Sequence, residues 1–303
     1  MQFLMKKKLV FVFLVLLFGN LQAQNSGGSM LDKLGDDDKN VIEYAKYSFK
    51  TDRIINLHSL EITSAGTMEV KISHRFGVID NGAYDLFGLD NAQQRIGLDF
   101  GINDKISVGI NRNSEQKAFD AFVAYKFLRQ SSGARVMPVT AIFLSSIAVQ
   151  TLKNYDPTRV DYFSSRLFYI NQLIIGRKFN NTFSLELAPT LVHRNLVLTA
   201  AEKNDVFAMG IGGRIRLNKR LTLNAEYVYV LPNQIDPKYK NSLSVGLDIE
   251  TGGHVFQLHF TNSPSMSEYA FITQTPNDWG PQAVRFGFNV SRAFTLWGKK
   301  PER

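Results

Sequence analysis

Apolar and polar residues alternate at every second position over much of this 303-residue chain. In segment 67–76, which reads Thr-Met-Glu-Val-Lys-Ile-Ser-His-Arg-Phe, the residues between the apolar ones are charged or polar. Strict alternation is the signal of a β-strand with one apolar face. The pattern predicts twelve strands, at 67–76, 95–102, 105–112, 118–127, 136–149, 164–179, 182–193, 205–217, 220–230, 242–250, 254–261 and 283–294.

The connections between these strands alternate between short turns and longer loops. Turns such as Asn103-Asp104 and Thr251-Gly252-Gly253 are rich in turn formers, whereas the loop at 262–282 is the longest. Transmembrane barrels have tight periplasmic turns and longer outer loops. The sequence therefore predicts an all-β fold: a single closed antiparallel transmembrane β-barrel of about twelve strands over residues 67–297, with both chain ends in the periplasm.

The first 23 residues have the order of a secretory signal peptide. Three lysines at 6–8 precede the apolar run Leu9–Phe18, and we expect cleavage after Ala23. This run is shorter than the roughly 20 residues that a transmembrane helix needs. Since no later stretch is apolar enough either, a mature chain that enters a membrane must do so as a closed barrel. The predicted location is the outer membrane.

Two segments lie between the predicted signal peptide and the barrel. Residues 24–52 are predicted to be a flexible periplasmic leader. Residues 53–66 are predicted to be a strand-like segment that plugs the barrel or pairs at its base. As a strand it would be the thirteenth, and bacterial single-chain barrels are even-numbered. The alternative is a fourteen-strand closure that uses part of residues 40–50. At the other end of the chain, residues 298–303 are predicted to be a C-terminal tail.

Two predicted strands depart from the alternation. Residues 136–149 are apolar on both faces. Strand 164–179 loses its alternation near Asn171 and Gln172, which predicts a bulge there. Pro138 and Pro189 each remove a hydrogen-bond donor from the ladder, so we expect them at bulges or strand ends.

Composition excludes several kinds of chemistry. The chain has no cysteine, which excludes disulfides, thiolate metal sites and a cysteine nucleophile. The five histidines lack metal-ligand spacing, and Ser145-Ser146 lacks a nucleophile motif, so we predict no catalytic residues, no metal and no cofactor. Removal of the signal peptide's three lysines lowers the net charge from +8 to +5, a modest excess that gives no reason to expect nucleic-acid binding.

The polar strand faces line the interior if the apolar faces meet lipid. Charges of both signs then face the lumen, with a small positive excess. The candidate solute-binding residues are Arg75, Arg95, Asp99, Arg214, Arg216, Glu226 and Arg285. Arg214 and Arg216 lie two apart on one strand face, a spacing that suits a carboxylate or phosphate. The alternative is that interleaved charges form cross-strand ion pairs that brace and seal the barrel.

Five stretches carry a more specific resemblance. They are SHRFG at 73–77, FGLDNAQQRIGLDFGI at 87–102, PTLVHRNLV at 189–197, ETGGHVFQLHFTNS at 250–263 and FGFNVSRAF at 286–294. Together they resemble a family of Gram-negative outer-membrane β-barrels of unknown function, over roughly residues 50–297. The resemblance implies the location and the barrel, and it brings no activity or catalytic residues. We place the signal for the barrel-assembly machinery at Val290–Trp297.

Three functions remain open at this point. The first is a narrow channel or solute transporter whose mixed-charge lumen selects the solute, for instance a small anion. The second is a sealed structural or docking barrel that acts on periplasmic partners through its loops or its N-terminal segment. The third is a soluble lipocalin-like barrel, which would place the apolar faces inward. For the first two, the expected partners are outer-membrane lipids and the barrel-assembly machinery; the sequence leaves the oligomeric state open.

Overall fold

Twelve antiparallel strands close into a barrel in the computed structural model, which describes residues 41–153, 160, 162–197, 199–280 and 282–298. In chain order the strands are β1 (Ile42–Tyr44), β2 (Thr67–Val78), β3 (Gln93–Gly101), β4 (Ile106–Asn113), β5 (Phe119–Leu128), β6 (Ser131–Gly133), β7 (Thr140–Val149), β8 (Leu167–Lys178), β9 (Phe183–Arg194), β10 (Asp205–Arg216), β11 (Leu221–Val230), β12 (Ser242–Thr251), β13 (His254–Thr261) and β14 (Arg285–Thr295). One short helix, α1 (Glu268–Thr273), lies before β14. The all-β, twelve-strand prediction is confirmed.

Strands β1 and β6 form a separate two-stranded sheet. The fourteen-strand closure is therefore wrong, because the part of residues 40–50 that forms a strand does not enter the barrel. The barrel closes by pairing of β14 with β2. The predicted signal peptide, leader residues 24–40 and tail residues 299–303 lie outside the described part of the chain.

Short and long connections define two ends of the barrel. The turn end carries the connections at 102–105, 129–139, 179–182, 217–220 and 252–253. The loop end carries the connections at 79–92, 114–118, 150–166, 195–204, 231–241 and 262–284. The first barrel strand begins and the last one ends at the turn end. Short 3₁₀ turns occur in three of the loops, at Ile79–Gly88, Glu115–Lys117 and Phe163–Arg166.

The barrel is apolar outside and polar inside, the reverse of a soluble protein. On outward faces Ile110 is 57% exposed and Phe207 51%, whereas the inward-facing Asp99 and Glu226 are 1% and 3% exposed. An apolar outer band around a polar interior suits a barrel surrounded by hydrocarbon. The lipocalin-like alternative needs the apolar faces inward and is therefore wrong.

Aromatic side chains collect on the outer surface near both ends of the barrel. Tyr227, Tyr229 and Phe260 are exposed toward the loop end. Exposed aromatic residues near the turn end are Phe127, Phe179, Phe294 and Trp297. The Arg177 and Arg292 guanidinium groups lie 5.6 and 5.0 Å from the ring centroids of Phe179 and Phe294. Amphipathic rings at these depths suit the two membrane interfaces.

The bulge predicted near Asn171 is wrong. Strand β8 pairs with β7 through this region with no shift in register. The alternation fails because a polar pair faces outward: the Ser145 hydroxyl donates to Asn171 Oδ1 at 3.0 Å. At Pro189 the β8–β9 ladder is interrupted between Gln172/Thr190 and Ile175/Leu187 and resumes in the same register. Register shifts occur instead between Lys126 and Leu128 in β5 and between Arg285 and Gly287 in β14.

Residues 45–66 form a loop that enters the barrel at the turn end, reverses and leaves at the same end. The Ala45 amide donates to the Gln130 carbonyl oxygen at 2.9 Å, and the Gly66 amide donates to that of Gly101 at 2.9 Å. Between these anchors an antiparallel bridge joins Arg53 and His58, with residues 54–57 as the tip. We call residues 45–66 the inserted loop. Its buried part begins at Ser48, before the predicted boundary at residue 53.

The inserted loop explains why β7 is apolar on both faces. Ile142 and Leu144 point inward and are 1% and 0% exposed. They belong to a buried cluster with Phe49, Ile54 and Leu60 of the inserted loop. A strand with apolar surroundings on both sides has a continuous apolar sequence. The same cluster includes Phe122, Ala124, Ile174 and Ala188 from the neighbouring strands.

The connection 262–284 folds into the barrel from the opposite end. All six residues of α1 are buried. The Tyr269 ring stacks on Phe168 of β8 with 4.1 Å between the ring centroids. The lumen is thus filled from both ends by two plugs: the inserted loop, and residues 262–280, which we call the loop-end plug. No helix in the described ranges is long and apolar enough to cross a bilayer.

Replacing Ile110 with lysine should destabilise the folded barrel, because this side chain lies outward in the middle of β4. A lysine at the bilayer midplane costs about 2–4 kcal/mol. The free energy of unfolding in lipid vesicles, measured by denaturant titration, checks this. The matched control is Ser132→Lys in the exposed strand β6, outside the barrel. Equal stability of the two variants would contradict the lipid-facing assignment.

Candidate functional site

The tip of the inserted loop binds the carboxylate of Glu226 in the middle of β11. Three consecutive backbone amides, those of Ile55, Asn56 and Leu57, donate to its two oxygens at 2.9–3.1 Å. Successive amides that converge on one anion form a nest, a favourable site for negative charge. Glu226 is 3% exposed, so these bonds replace the solvation that the carboxylate loses in the barrel.

Inward-facing amide side chains hold the carbonyl groups of the same tip. Gln257 Nε2 donates to the Ile54 carbonyl oxygen at 2.9 Å, and Asn289 Nδ2 donates to that of Ile55 at 3.2 Å. The side chain of Asn56 reaches Ser244, with 3.0 Å between Nδ2 and Oγ. Three backbone amides, two carbonyl groups and the Asn56 side chain of the tip are thus bonded to residues of the barrel wall.

An ion pair joins the inserted loop to the opposite plug. Arg53 Nη2 lies 2.7 Å from Glu268 Oε1 at the start of α1. His58 Nε2 lies 3.2 Å from the same carboxylate oxygen and 3.0 Å from Arg53 Nη2. Arg53, His58 and Glu268 are 7%, 4% and 2% exposed. Although burial opposes it, Arg53 and Arg95 hold the pKa of Glu268 well below its usual range, so the carboxylate is charged.

Two cations extend this network to the wall. Lys71 of β2 forms ion pairs with Asp52 of the inserted loop and with Asp99 of β3. Arg75 donates through Nη2 to Asn56 Oδ1 at 3.0 Å and through Nη1 to the Ser263 carbonyl oxygen at 2.8 Å. Removing one partner from such a buried charged pair is strongly destabilising, because it leaves the other charge without compensation.

A cavity of about 400 Å³ lies at the turn end, between the inserted loop and the barrel wall. The charged groups of its wall that lie on β8 and β10 are all cationic: Lys178, Arg214 and Arg216. Acidic residues lie on β2, β12 and the inserted loop, and Asn181 contributes an amide from the turn after β8. The cavity is a part of the lumen that the inserted loop leaves open.

The seven predicted solute-binding residues do not form one ring. Four lie around the plugs: Arg75 and Glu226 hold the loop tip, Asp99 pairs with Lys71, and Arg95 lies 2.7 Å from Asp120. Arg214 and Arg216 line the cavity at the turn end. Arg285 donates to the carbonyl oxygens of Ala283 and Asn262 at the loop end, at 3.0 and 3.3 Å.

Sequence reasoning missed the residues of the plugs that these groups bind. Asn56, Arg53 and Glu268 show no periodicity that would single them out. Inward-facing glycines are one signal for these contacts, because they mark places where another part of the chain approaches the wall. A Cβ added at Gly212 would overlap Ile54 Cδ1, and one at Gly246 would lie 3.1 Å from Ile55 Cδ1. Within the described ranges no group of three or more His, Asp or Glu residues could hold a metal ion.

Acid should loosen the tip of the inserted loop through His58. Burial and the neighbouring Arg53 lower the pKa of His58 to about 4, although Glu268 and Asp52 act in the opposite direction. When the loop leaves, His58 regains an ordinary pKa near 6.5. The displaced state then binds the proton more readily, so insertion is fully favoured above pH 6.5 and weakens as pH falls toward 4. From pH 7 to pH 5 the equilibrium constant for insertion of the loop falls about 20-fold.

Hydrogen exchange of the Ile55–Leu57 amides measures this effect as a protection factor, the ratio of the intrinsic exchange rate to the observed rate at each pH. We expect protection of these amides to fall about 20-fold from pH 7 to 5 in the native protein. In His58→Gln that part of the pH dependence should disappear. The same pH dependence in both proteins would mean that His58 is not the titrating group.

The family comparison agrees with the inverted polarity of the barrel. Residues 49–294 match the model of a family described as a membrane bound beta barrel domain (DUF5777). The chain belongs to this family. The match begins inside the inserted loop, so the DUF5777 domain of this chain includes the buried part of that loop from Phe49 as well as the barrel. No curated protein sequence matches the chain significantly.

Solved structures to which this chain is similar include outer-membrane porins and channels. The NanC porin is 7% identical, with a TM-score of 0.49, and the similarity covers 76% of this chain and all of that one. The KdgM porin is 9% identical, with a TM-score of 0.46 and coverage of 75% and 99%. The COG4313 outer membrane channel from Pseudomonas putida F1 is 10% identical, with a TM-score of 0.47 and coverage of 77% and 97%. TM-scores below 0.5 at such identities do not establish a shared function.

Proposed function

We propose that this DUF5777 barrel is an outer-membrane channel for small solutes that its own inserted loop closes. The observation that supports this most directly is the nest at the loop tip, which grips Glu226 at mid-depth in the lumen. The loop enters and leaves at the same end, so it can be withdrawn without threading through the barrel. Opening also requires the loop-end segment around Glu268 to move aside, and withdrawal of Arg53 removes an ion pair that holds this segment. Bacterial single-chain barrels with long loops on one side occupy the outer membrane, with the turn end periplasmic.

The lumen charges bind the inserted loop in the closed state. In the open state the groups that line the path select the solute. Arg75, Glu226 and Lys71 hold the loop in the closed state, and they line the lumen once it leaves. Their mixed signs suit the passage of small polar solutes. The outer-membrane lipids surround the apolar band. The barrel-assembly machinery would recognise the segment Val290–Trp297.

A second function is favoured by the contact between the two plugs. Because Arg53 of the inserted loop pairs with Glu268 of the loop-end plug at 2.7 Å, a change at the loop end would reach the N-terminal segment directly. In that case the barrel stays sealed and reports events at its loops to a periplasmic partner. The two functions differ in one observable, ionic conductance.

Single-channel recording in a planar bilayer tests the proposal. The full chain without residues 1–23 is refolded, and a heat-modifiable band on a gel establishes that the barrel is folded. We expect a nearly silent baseline with brief, discrete openings that become more frequent from pH 7 to 5. A folded, inserted barrel with no opening anywhere between pH 5 and 8 would overturn the channel proposal and favour the sealed barrel.

A further inference from the structure

The turn-end cavity separates charges of opposite sign across its width. Lys178, Arg214 and Arg216 lie on β8 and β10. The acidic wall residues Glu250 and Glu69 lie on β12 and β2, and β2 is five strands from β10 around the barrel. The cavity therefore has a cationic side on β8 and β10, and the acid that acts on this side from the inserted loop is Glu61.

Arg214 is buried in this cavity with much of its guanidinium group unbonded. It is 2% exposed, and within the described part of the chain neither Nε nor Nη1 has a hydrogen-bond partner. No carboxylate among the described residues forms an ion pair with it within 4.0 Å. Ser184, directly opposite on β9, is 0% exposed and its hydroxyl also lacks a partner among these residues. A buried charge without a partner is costly, which makes this position a strong site for an incoming anion.

Neighbouring groups complete a cradle around Arg214. Arg216 lies two residues further along the same inward face and uses Nε to bond the Asn218 carbonyl oxygen at 3.1 Å. Lys178 pairs in register with Ser184, which in turn pairs with Arg214, so the three lie in one row across β8, β9 and β10. Guanidinium and ammonium groups at this spacing suit the oxygens of a carboxylate or phosphate.

The acidic groups of the cavity are engaged elsewhere. Glu250 pairs with Lys50, and Asp52 pairs with Lys71. Glu61 Oε1 accepts the Ser48 amide at 2.6 Å, and its other oxygen lies 4.0 Å from Lys126. Glu61 attracts Arg214 and Lys178 from a distance, but no acid of the cavity forms an ion pair with Arg214 within 4.0 Å among the described residues.

We propose that Arg214, with Arg216 and Lys178, forms a binding site for the carboxylate or phosphate group of a small soluble anion at the turn end of the barrel. A cavity of about 400 Å³ accommodates a molecule the size of a sugar acid or a sugar phosphate. The site goes beyond the channel proposal, because binding in the cavity requires neither conduction nor movement of the inserted loop.

Isothermal titration of the refolded full chain with inorganic phosphate and with glucuronate tests the site. A zwitterionic detergent at low salt keeps anionic lipid headgroups out of the sample, so the heat reports a soluble anion. We expect saturable binding of at least one probe, at least tenfold weaker in Arg214→Gln, which removes the charge and keeps a polar side chain. Arg216→Gln and Lys178→Gln should each weaken binding several-fold.

The matched control is Arg177→Gln, which removes the same charge one residue from Lys178 but on the outer face, where Arg177 lies over the Phe179 ring. It should bind like the native protein. If Arg214→Gln lacks the heat-modifiable band of a folded barrel, Arg216→Gln and Lys178→Gln carry the test. Absence of binding by the folded native chain, or equal binding by the folded inward variants and Arg177→Gln, would overturn the proposal. Since no current is measured, a failed channel proposal leaves this result unaffected.

Discussion

Glu226→Gln should release the inserted loop and open the barrel. The carboxylate accepts three consecutive amides of the loop tip. A glutamine side chain has one acceptor oxygen, and its NH₂ group would face the backbone N–H groups of the loop tip, which are also donors. Hydrogen bonds to charged groups contribute about 1.5–3 kcal/mol each, so the loss of two or more weakens closure by about 3 kcal/mol or more. The open fraction should then rise by about 100-fold.

Two measurements check this expectation together. In a planar bilayer the open probability of Glu226→Gln should exceed that of the native chain by about 100-fold. In detergent, trypsin should cleave after Arg53, which is 7% exposed in the native structure and protected there. Asp205→Asn is the control, because it removes one carboxylate charge from an exposed residue at the loop end that bonds His193. A Glu226→Gln barrel that stays closed and resists trypsin would show that the nest does not hold the loop.

The barrel itself was predictable because its pattern is local. Because lipid lies outside the barrel and polar groups lie inside it, apolar and polar residues alternate along each strand. A strand can therefore be recognised from eight or ten residues. The start of β7 was the least accurate boundary. It lies at Thr140 and not at 136, because Ser131 bridges Met137 in the hairpin that pairs with β1.

The contents of the lumen were only partly predictable, because the contacts that fix them are distant in sequence. Asn56 and Glu226 are separated by 170 residues, and no periodic pattern identifies Asn56 as the partner of Glu226. The inward charges could be identified from the alternation, but their partners could not. Arg75 and Glu226 therefore looked like solute-binding residues, while the structure has them gripping the inserted loop.

Two sequence features did point to an occupied lumen. The inner face of β7 is apolar at Ile142 and Leu144, which would be unfavourable in a water-filled lumen and is explained by contact with Phe49 and Leu60. Gly212 lies on the inner face of β10, where any side chain would overlap Ile54. A strand that is apolar on both faces, together with inward-facing glycines on other strands, is a pattern that could identify an internal plug in related sequences.

A reversible lock on the inserted loop should abolish conduction completely. A Cβ added at Gly212 would overlap the end of the Ile54 side chain, so Cβ atoms at positions 54 and 212 lie at about the separation that a disulfide spans. Ile54→Cys also removes the atoms that a side chain at position 212 would meet. Because the chain has no cysteine, the engineered pair has no competing thiol. Adding Glu226→Gln gives the unlocked loop a high open fraction.

The most direct test of loop closure is the current through this Ile54→Cys/Gly212→Cys/Glu226→Gln barrel before and after addition of a reductant to the same bilayer. We expect silence while the disulfide is intact, and discrete openings after reduction. The corresponding variants with only one of the two cysteines should conduct throughout. A barrel that mass spectrometry shows to be cross-linked and that conducts as well as the reduced form would contradict closure by the inserted loop.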